Sequence, residues 1–246
     1  NGGAGGGVVQ GAAGGGILAH PAPGTATGCP PGFVPTPALG VVAGAFGQIA
    51  YGKFRSPNYE TADRYIPATA TWTGQPQPQG SNDLIFQLFV PAGPKPANGW
   101  PVAIFGHGFT DSMYGAPWTV ASVFASRGIA TLSINVVGHG GGPLGTLNVL
   151  LGSALPVSVP AGGRGIDQDG NGAIDSTEGV SAVAPRTIIS SRDGLRQTVI
   201  DLMQLVRQVQ AGIDVAGDGR IDLDAPRIYY AGQSFGGIYG PIFLVV

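Results

Sequence analysis

Ser234 is the residue of this chain best placed to do chemistry. It sits in Gly232-Gln233-Ser234-Phe235-Gly236, after the short run Arg227-Ile228-Tyr229-Tyr230-Ala231 and before Gly237-Ile238-Tyr239-Gly240. A Gly-x-Ser-x-Gly stretch between a strand and a helix reads as a nucleophile elbow, where the serine rides a strained turn and its hydroxyl stands clear of the chain. Glycines two residues to either side remove the Cβ atoms that would collide there. A hydroxyl so placed can attack a carbonyl carbon and carry the acyl group, provided a neighbouring base takes its proton. The plain alternative for the same letters is a glycine-rich turn.

A second cluster is suited to a hard cation. Asp167-Gln168-Asp169-Gly170-Asn171-Gly172-Ala173-Ile174-Asp175-Ser176-Thr177-Glu178 matches the twelve-residue EF-hand loop at each diagnostic position. Asp167, Asp169 and Asn171 supply side-chain oxygens at positions 1, 3 and 5, Ala173 its carbonyl at 7, Asp175 a water-mediated contact at 9, and Glu178 both oxygens at 12. Gly172 at position 6 permits the sharp bend. Without a cation these carboxylates would repel one another, so the expectation is a structural Ca2+; the competing reading is a solvated acidic turn. The flanks are Gly-rich rather than helical, which suits an isolated staple better than a paired sensor. A similar stretch, Asp214 to Asp224, has Ala216 and Ala225 at positions 3 and 12. With two ligands lost, an Asx-rich turn leading into the elbow strand is the favoured reading.

The elements that must hold these groups follow from periodicity and breakers. Strand signals cover 83–90, closed by Pro91, then Val102-Ala103-Ile104-Phe105, then 129–137. Helical spacing covers 117–127, with Pro117 in the first turn and Gly128 as a stop. A longer amphipathic helix places Leu195, Val199, Leu202, Val206 and Val209 on one face, with Asp201, Arg207 and Gln208 mostly off it, and Ser190 or Ser191 can cap it. Residues 31–80 read as irregular structure over a core, and 138–186 as a Gly-rich insertion holding the acidic loop. Strands alternating with helices predict an α/β fold, a mostly parallel sheet with helices on both faces.

Composition narrows the rest. The formal charge of −2 and 11% charged residues leave no basic footprint for nucleic acid. No run of about 18 apolar residues suggests a membrane span. Residues 1–52 hold no Asp, Glu, Lys or Arg, and nine of the first 16 are Gly, so 1–30 reads as a flexible Gly-rich segment and 31–246 as the folded domain. Cys29 is the only cysteine, which rules out a disulfide within this chain. This composition leans towards a secreted or cell-surface bacterial protein.

Together, residues 83–246 resemble the N-terminal part of an α/β-hydrolase of the secreted bacterial lipase/esterase kind. The resemblance rests on Gly106-His107-Gly108-Phe109, the loop 167–178, Arg192-Asp193-Gly194-Leu195-Arg196-Gln197 and Gly232 to Gly237. It implies ester hydrolysis through an acyl-serine, with the backbone N–H groups of Phe109 and Phe235 holding the oxyanion. His107 and His139 are expected to orient their loops rather than act as bases, and His20 carries no signal. In that family the triad runs Ser, then Asp or Glu, then His, and no acid or histidine follows Phe235. The fold is therefore expected to be truncated after the elbow, with Asp and His supplied by a missing C-terminal part or a second chain. Phe109, Phe235, Trp118 and Tyr114 suggest an ester with an apolar acyl or aromatic group. A serine peptidase or amidase on the same fold, and a calcium-binding structural or interaction module with an idle elbow, are the competing readings.

Overall fold

A computed structural model describes residues 17–20, 32–33, 36–69, 74–149 and 157–246. In chain order these residues form β1 (Ile17–His20), β2 (Gly32–Phe33), β3 (Phe46–Asn58), β4 (Gly80–Pro91), β5 (Trp100–Gly106), α1 (Ala116–Ala125), β6 (Ala130–Ile134), β7 (Thr146–Val149), β8 (Val157–Pro160), α2 (Arg192–Ala211), β9 (Leu223–Gly232) and α3 (Phe235–Leu244). The central sheet has the order β3-β4-β6-β5-β9. Its β6-β5 and β5-β9 pairs are parallel, while β4 is antiparallel to both neighbours. Four strands thus run one way and β4 alone runs against them, giving the mostly parallel α/β sheet expected, in an α/β-hydrolase-like arrangement.

Alternation along the strands builds two cores, because successive side chains leave opposite faces of a sheet. Ala50 and Phe54 of β3 and Leu88 and Val90 of β4 face α2 and α3, with Leu195, Val199, Leu202, Leu205, Phe235 and Tyr239. Ile49, Tyr51 and Phe89 face the other way, against Trp118 and Ala121 of α1. Trp118 is fully buried, meets Phe89 edge-on at 5.1 Å, and donates its Nε1–H to Gln87 at 3.1 Å. A tryptophan so packed, with its polar edge satisfied, costs about 3–5 kcal/mol to truncate.

Two departures from the sequence reading are instructive. The stretch read as irregular contains β3, the longest strand among the described residues, paired with β4 along its whole length. Its glycines hide the alternation, and Gly52 is glycine because the Phe86 ring lies where its Cβ would be. Likewise, the Gly-rich insertion is partly ordered. Its β7 and β8 pair antiparallel, and β7 also pairs with β1, in a four-stranded sheet of order β2-β1-β7-β8. Strand β1 falls inside the 1–30 stretch expected to be flexible; residues 1–16 and 21–30 lie outside the described residues.

Helix α2 follows its predicted apolar stripe, but its polar side is not left to solvent. Asp201 is fully buried and accepts from Ser56 Oγ at 2.6 Å, Arg164 at 2.6 Å and Gln197 at 2.9 Å. Periodicity assigned it off the buried face; the insertion and β3 close over that face and bury it with partners. Ser191 holds the N-cap position without a side-chain capping bond, while Asp193 two residues on accepts from the Ile66 N–H at 2.9 Å.

Candidate active site

The carboxyl ends of β5 and β9 converge on one place. The two strands pair in parallel up to Gly106 and Gly232, so the loops leaving them lie side by side. Ser234 follows β9 at the N-cap of α3, with φ 50° and ψ −109°. Positive φ is rare for a serine and costs about 1–3 kcal/mol. The turn survives because its surroundings allow no other path. A Cβ on Gly236 would strike the Gly106 carbonyl, and one on Gly232 would strike the backbone of Gly236. The Gln233 N–H donates to Gly106 O at 3.0 Å, tying the bend to β5. Two tyrosines fasten the rest: Tyr230 donates to Gly236 O at 2.7 Å, and Tyr239 to His107 O at 3.3 Å. Sequence reasoning missed both tyrosines, since their spacing crosses a strand, a turn and a helix and matches no single periodicity.

Ser234 itself is exposed, and its side chain makes no capping bond to α3. Serine at an N-cap ordinarily accepts from the helix N–H groups; here the strained backbone leaves the hydroxyl available. The β5 loop touches it, a Cβ placed on Gly108 lying 3.6 Å from the Ser234 Cβ. Among the described residues, neither the Phe109 N–H nor the Phe235 N–H has an acceptor in the protein. The two side chains pack edge to face at 5.1 Å, Phe235 buried and Phe109 48% exposed.

Both histidines near this point bond a backbone carbonyl through Nδ1, and only His107 also engages Nε2. His107 is fully buried; its Nδ1 lies 2.8 Å from Gly108 O, and its Nε2 accepts from the Val136 N–H at 3.0 Å. With both ring nitrogens engaged, the neutral tautomer spans the loops after β5 and β6. Burial pushes its pKa down to about 4. His139 donates from Nδ1 to Val137 O at 2.9 Å and lies among Phe109, Phe235 and His107 at ring separations of 5.3 to 5.8 Å. Burial lowers its pKa as well. His20 belongs to β1. Trp118 and Tyr114, read from sequence as part of an apolar neighbourhood, belong to other packing: Trp118 lies in the α1-side core, and Tyr114 donates to Ala161 O at 3.0 Å.

The loop 167–178 folds around its carboxylates. Oxygens of Asp167, Asp169 and Glu178 lie within 4.8 Å of one another. Gly170 and Gly172 take positive φ, and the Gly172 N–H donates to Asp167 at 2.9 Å. Asn171 Oδ1 accepts from the Ala173 N–H at 2.8 Å, and Glu178 from the Asp175 N–H at 2.9 Å. Slight burial pushes the Glu178 pKa up, but the N–H groups of Asp175, Gln168 and Asp169 outweigh it and hold the carboxyl below its usual range. The other oxygen of Asp167, Oδ1, is buried with no partner.

No protein-family model matches the chain, and no curated protein matches it. Solved structures similar to it include a cold-adapted esterase from an Arctic intertidal metagenomic library, 14% identical with a TM-score of 0.39, over 78% of this chain and 53% of that one. An acetyl xylan esterase from Paenibacillus sp. R4 is 17% identical with a TM-score of 0.39, over 91% and 47%. A ferulic acid esterase from Streptomyces cinnamoneus is 16% identical with a TM-score of 0.41, over 80% and 55%. The chain spans about half the length of these structures. Likeness this distant leaves the functional argument to the geometry. Among the described residues, no helix is long and apolar enough to cross a membrane.

Proposed function

We propose that this chain carries the nucleophile and the oxyanion donors of a serine carboxylic ester hydrolase of the lipase/esterase kind. The observation that carries the reading is Ser234: exposed, uncapped and at φ 50°, on a bend where a Cβ at Gly232 or Gly236 would strike backbone, beside two unused backbone N–H groups. In this reading Ser234 Oγ attacks the ester carbonyl carbon. The carbonyl oxygen becomes the oxyanion of a tetrahedral intermediate and accepts from the N–H groups of Phe109 and Phe235, each donor worth roughly 3 kcal/mol of barrier. Collapse expels the alcohol and leaves an acyl-serine, which water then hydrolyses. The exposed Phe109 ring beside the serine favours an ester with an apolar acyl or aromatic group.

The proton taken from Ser234 and given to the leaving alcohol needs a base. His107 is unsuited because both its nitrogens are engaged; His139 spends Nδ1 on Val137 O, and burial lowers its pKa, which weakens its Nε2 as a base. The reading therefore assigns the triad Asp and His to polypeptide outside these residues, further along the chain or on a partner. An open sheet edge supports this. Among the described residues strand β9 is last in its sheet, and Tyr229, Ile238 and Ile242 stand 42–59% exposed on β9 and α3. Such surface is ordinarily covered.

In the same reading, the loop 167–178 binds a structural Ca2+ through Asp167, Asp169, Asn171, the Ala173 carbonyl, Asp175 and Glu178. The residues fit the ion: three carboxylate oxygens converge, and Asp167 Oδ1 is buried without a partner. The ion neutralises the loop and pins the insertion, and takes no part in acyl transfer. A bacterial extracellular or cell-surface setting, rich in calcium, suits such a loop.

The test uses the chain together with the polypeptide that supplies Asp and His. It should hydrolyse short-chain nitrophenyl esters and react with a fluorophosphonate probe. Ser234→Ala should abolish labelling and lower kcat/KM by about 10⁴-fold or more. Undiminished turnover in that variant would remove Ser234 from the mechanism. Calcium stabilisation without labelling would instead favour a calcium-binding module with an idle elbow.

A further inference from the structure

The loop 214–224 has the outline of a calcium loop but holds a different cation. Asp214 accepts from the N–H groups of Gly217 at 2.7 Å and Gly219 at 2.8 Å, and Asp218 from that of Arg220 at 2.9 Å. The N–H of Gly219 first, then those of Gly217 and Asp218 against a small desolvation, keep the Asp214 carboxyl below its usual range, and Lys95 adds to this. Gly217 and Gly219 take positive φ as Gly170 and Gly172 do in the first loop. The sequence difference lies at positions 3 and 12, where Ala216 and Ala225 offer no side-chain oxygen.

The turn between β4 and β5 fills what is missing. Lys95 Nζ lies 2.5 Å from Asp222 Oδ1 and 3.9 Å from Asp218 Oδ2. Its side chain is 19% exposed and that of Asp222 only 8%. The second oxygen of Asp222 accepts from the Val215 N–H at 2.5 Å. The approach is close because Gly99, at φ 85°, has no Cβ; one there would lie 2.8 Å from the backbone carbon of Leu223. The Trp100 N–H then donates to Asp222 O at 2.7 Å, where β5 begins to pair with β9.

We propose that the Lys95 ammonium is the built-in cation of the 214–224 loop, so the connection from α2 to the elbow strand keeps its shape without metal. An ammonium suits what the loop retains: it brings one charge and three donors, and needs no cage of six or more oxygens as Ca2+ does. The 214–224 loop accordingly takes up no calcium. This does not rest on the esterase reading, nor on calcium binding at 167–178.

Thermal unfolding of the chain with and without calcium tests it. Lys95→Met should lower Tm by about 5 °C or more, since it strands a mostly buried carboxylate. The loss should be the same in EDTA and in calcium, and Lys95→Met with Asp222→Asn should lose less than the sum of the single changes. In Glu178→Gln, which disables the first loop, calorimetric titration with calcium should show no saturable binding. A Lys95→Met protein within 1 °C of the parent, or a saturable calcium response in Glu178→Gln, overturns the proposal. The Glu178→Gln titration decides even if Lys95→Met fails to fold. A parent chain indifferent to calcium would sink the metal reading at 167–178 while leaving the Lys95 pair to its own test.

Discussion

The elbow around Ser234 and the acidic loop at 167–178 are both tight glycine-bearing turns with residues at positive φ, yet they are held in opposite ways. Around the elbow the chain satisfies itself: Tyr230, Tyr239, Gln233 and His107 bond the turn and its neighbouring loop from several sides. The loop instead gathers like charges and leaves Asp167 Oδ1 buried without a partner. A nucleophile must stand in one place before substrate arrives, so its support has to be internal. A staple can borrow its stability from an ion, because nothing reacts there. The 214–224 loop lies between these cases, with acidic geometry and a lysine from the chain itself.

The contrast can be broken most directly at Gly236. A Cβ there meets the Gly106 carbonyl, so Gly236→Ala must displace either β5 or the elbow. Misplacement of about 1 Å costs on the order of 10²-fold, and under the proposed function kcat/KM for ester hydrolysis should fall by at least that. Activity within a few-fold of the parent would mean that the elbow is not held by this contact.

Next in size is pH. His107 is neutral when folded, with a pKa of about 4, and ordinary at 6.5 when unfolded. As pH falls below 6.5 the unfolded chain takes up a proton that the folded chain refuses. Stability present at neutral pH is therefore lost between 6.5 and 4, by on the order of 3 kcal/mol. Denaturant midpoints across that window should drop less in His107→Gln than in the parent. Parallel curves would remove His107 as the proton-sensitive strut.

Calcium removal should act on the loop and spare the elbow. At about 10 mM calcium, a site of extracellular affinity adds about 1.4–2.7 kcal/mol, or roughly 3–8 °C in Tm for a domain of this size. EDTA should remove that increment and Glu178→Gln should abolish the response. If chelation left Tm unchanged, the loop would be an acidic turn sustained by its own hydrogen bonds. The smallest effect expected is at Gly237, whose Cβ would meet nothing within 4 Å. Gly237→Ala should be neutral or stabilising by about 0.4–1 kcal/mol. Destabilisation there, comparable with Gly236→Ala, would show that the whole turn resists side chains rather than one contact point.

Much of this was legible in the chain. Strands β4, β5 and β6, helices α1 and α2 and the strand before Ser234 all carry local patterns, and the elbow and acidic loop are fixed-spacing motifs. Strand β3 was not legible, because Gly47 and Gly52 interrupt its alternation for contacts made 34 or more residues away, at Pro91 and Phe86. Asp201 was misplaced for a related reason: its burial depends on Ser56 and Arg164, which no helical wheel contains. Lys95 reads as an ordinary turn lysine until the structure sets it against Asp222, 127 residues on.

By itself, the sequence determined which residues have the types and spacing to be candidates: the serine between its glycines, the oxygens at EF-hand spacing, and the period of most helices and strands. These depend on neighbours a few residues apart, whose geometry the backbone sets. Only the tertiary structure decided what stands beside them. The side-by-side placing of the Gly108 loop and Ser234, the sealing of His107 out of proton chemistry and the lysine in the second loop all arise from contacts between distant segments. Burial and charge pairing are properties of such contacts, and no local pattern encodes them.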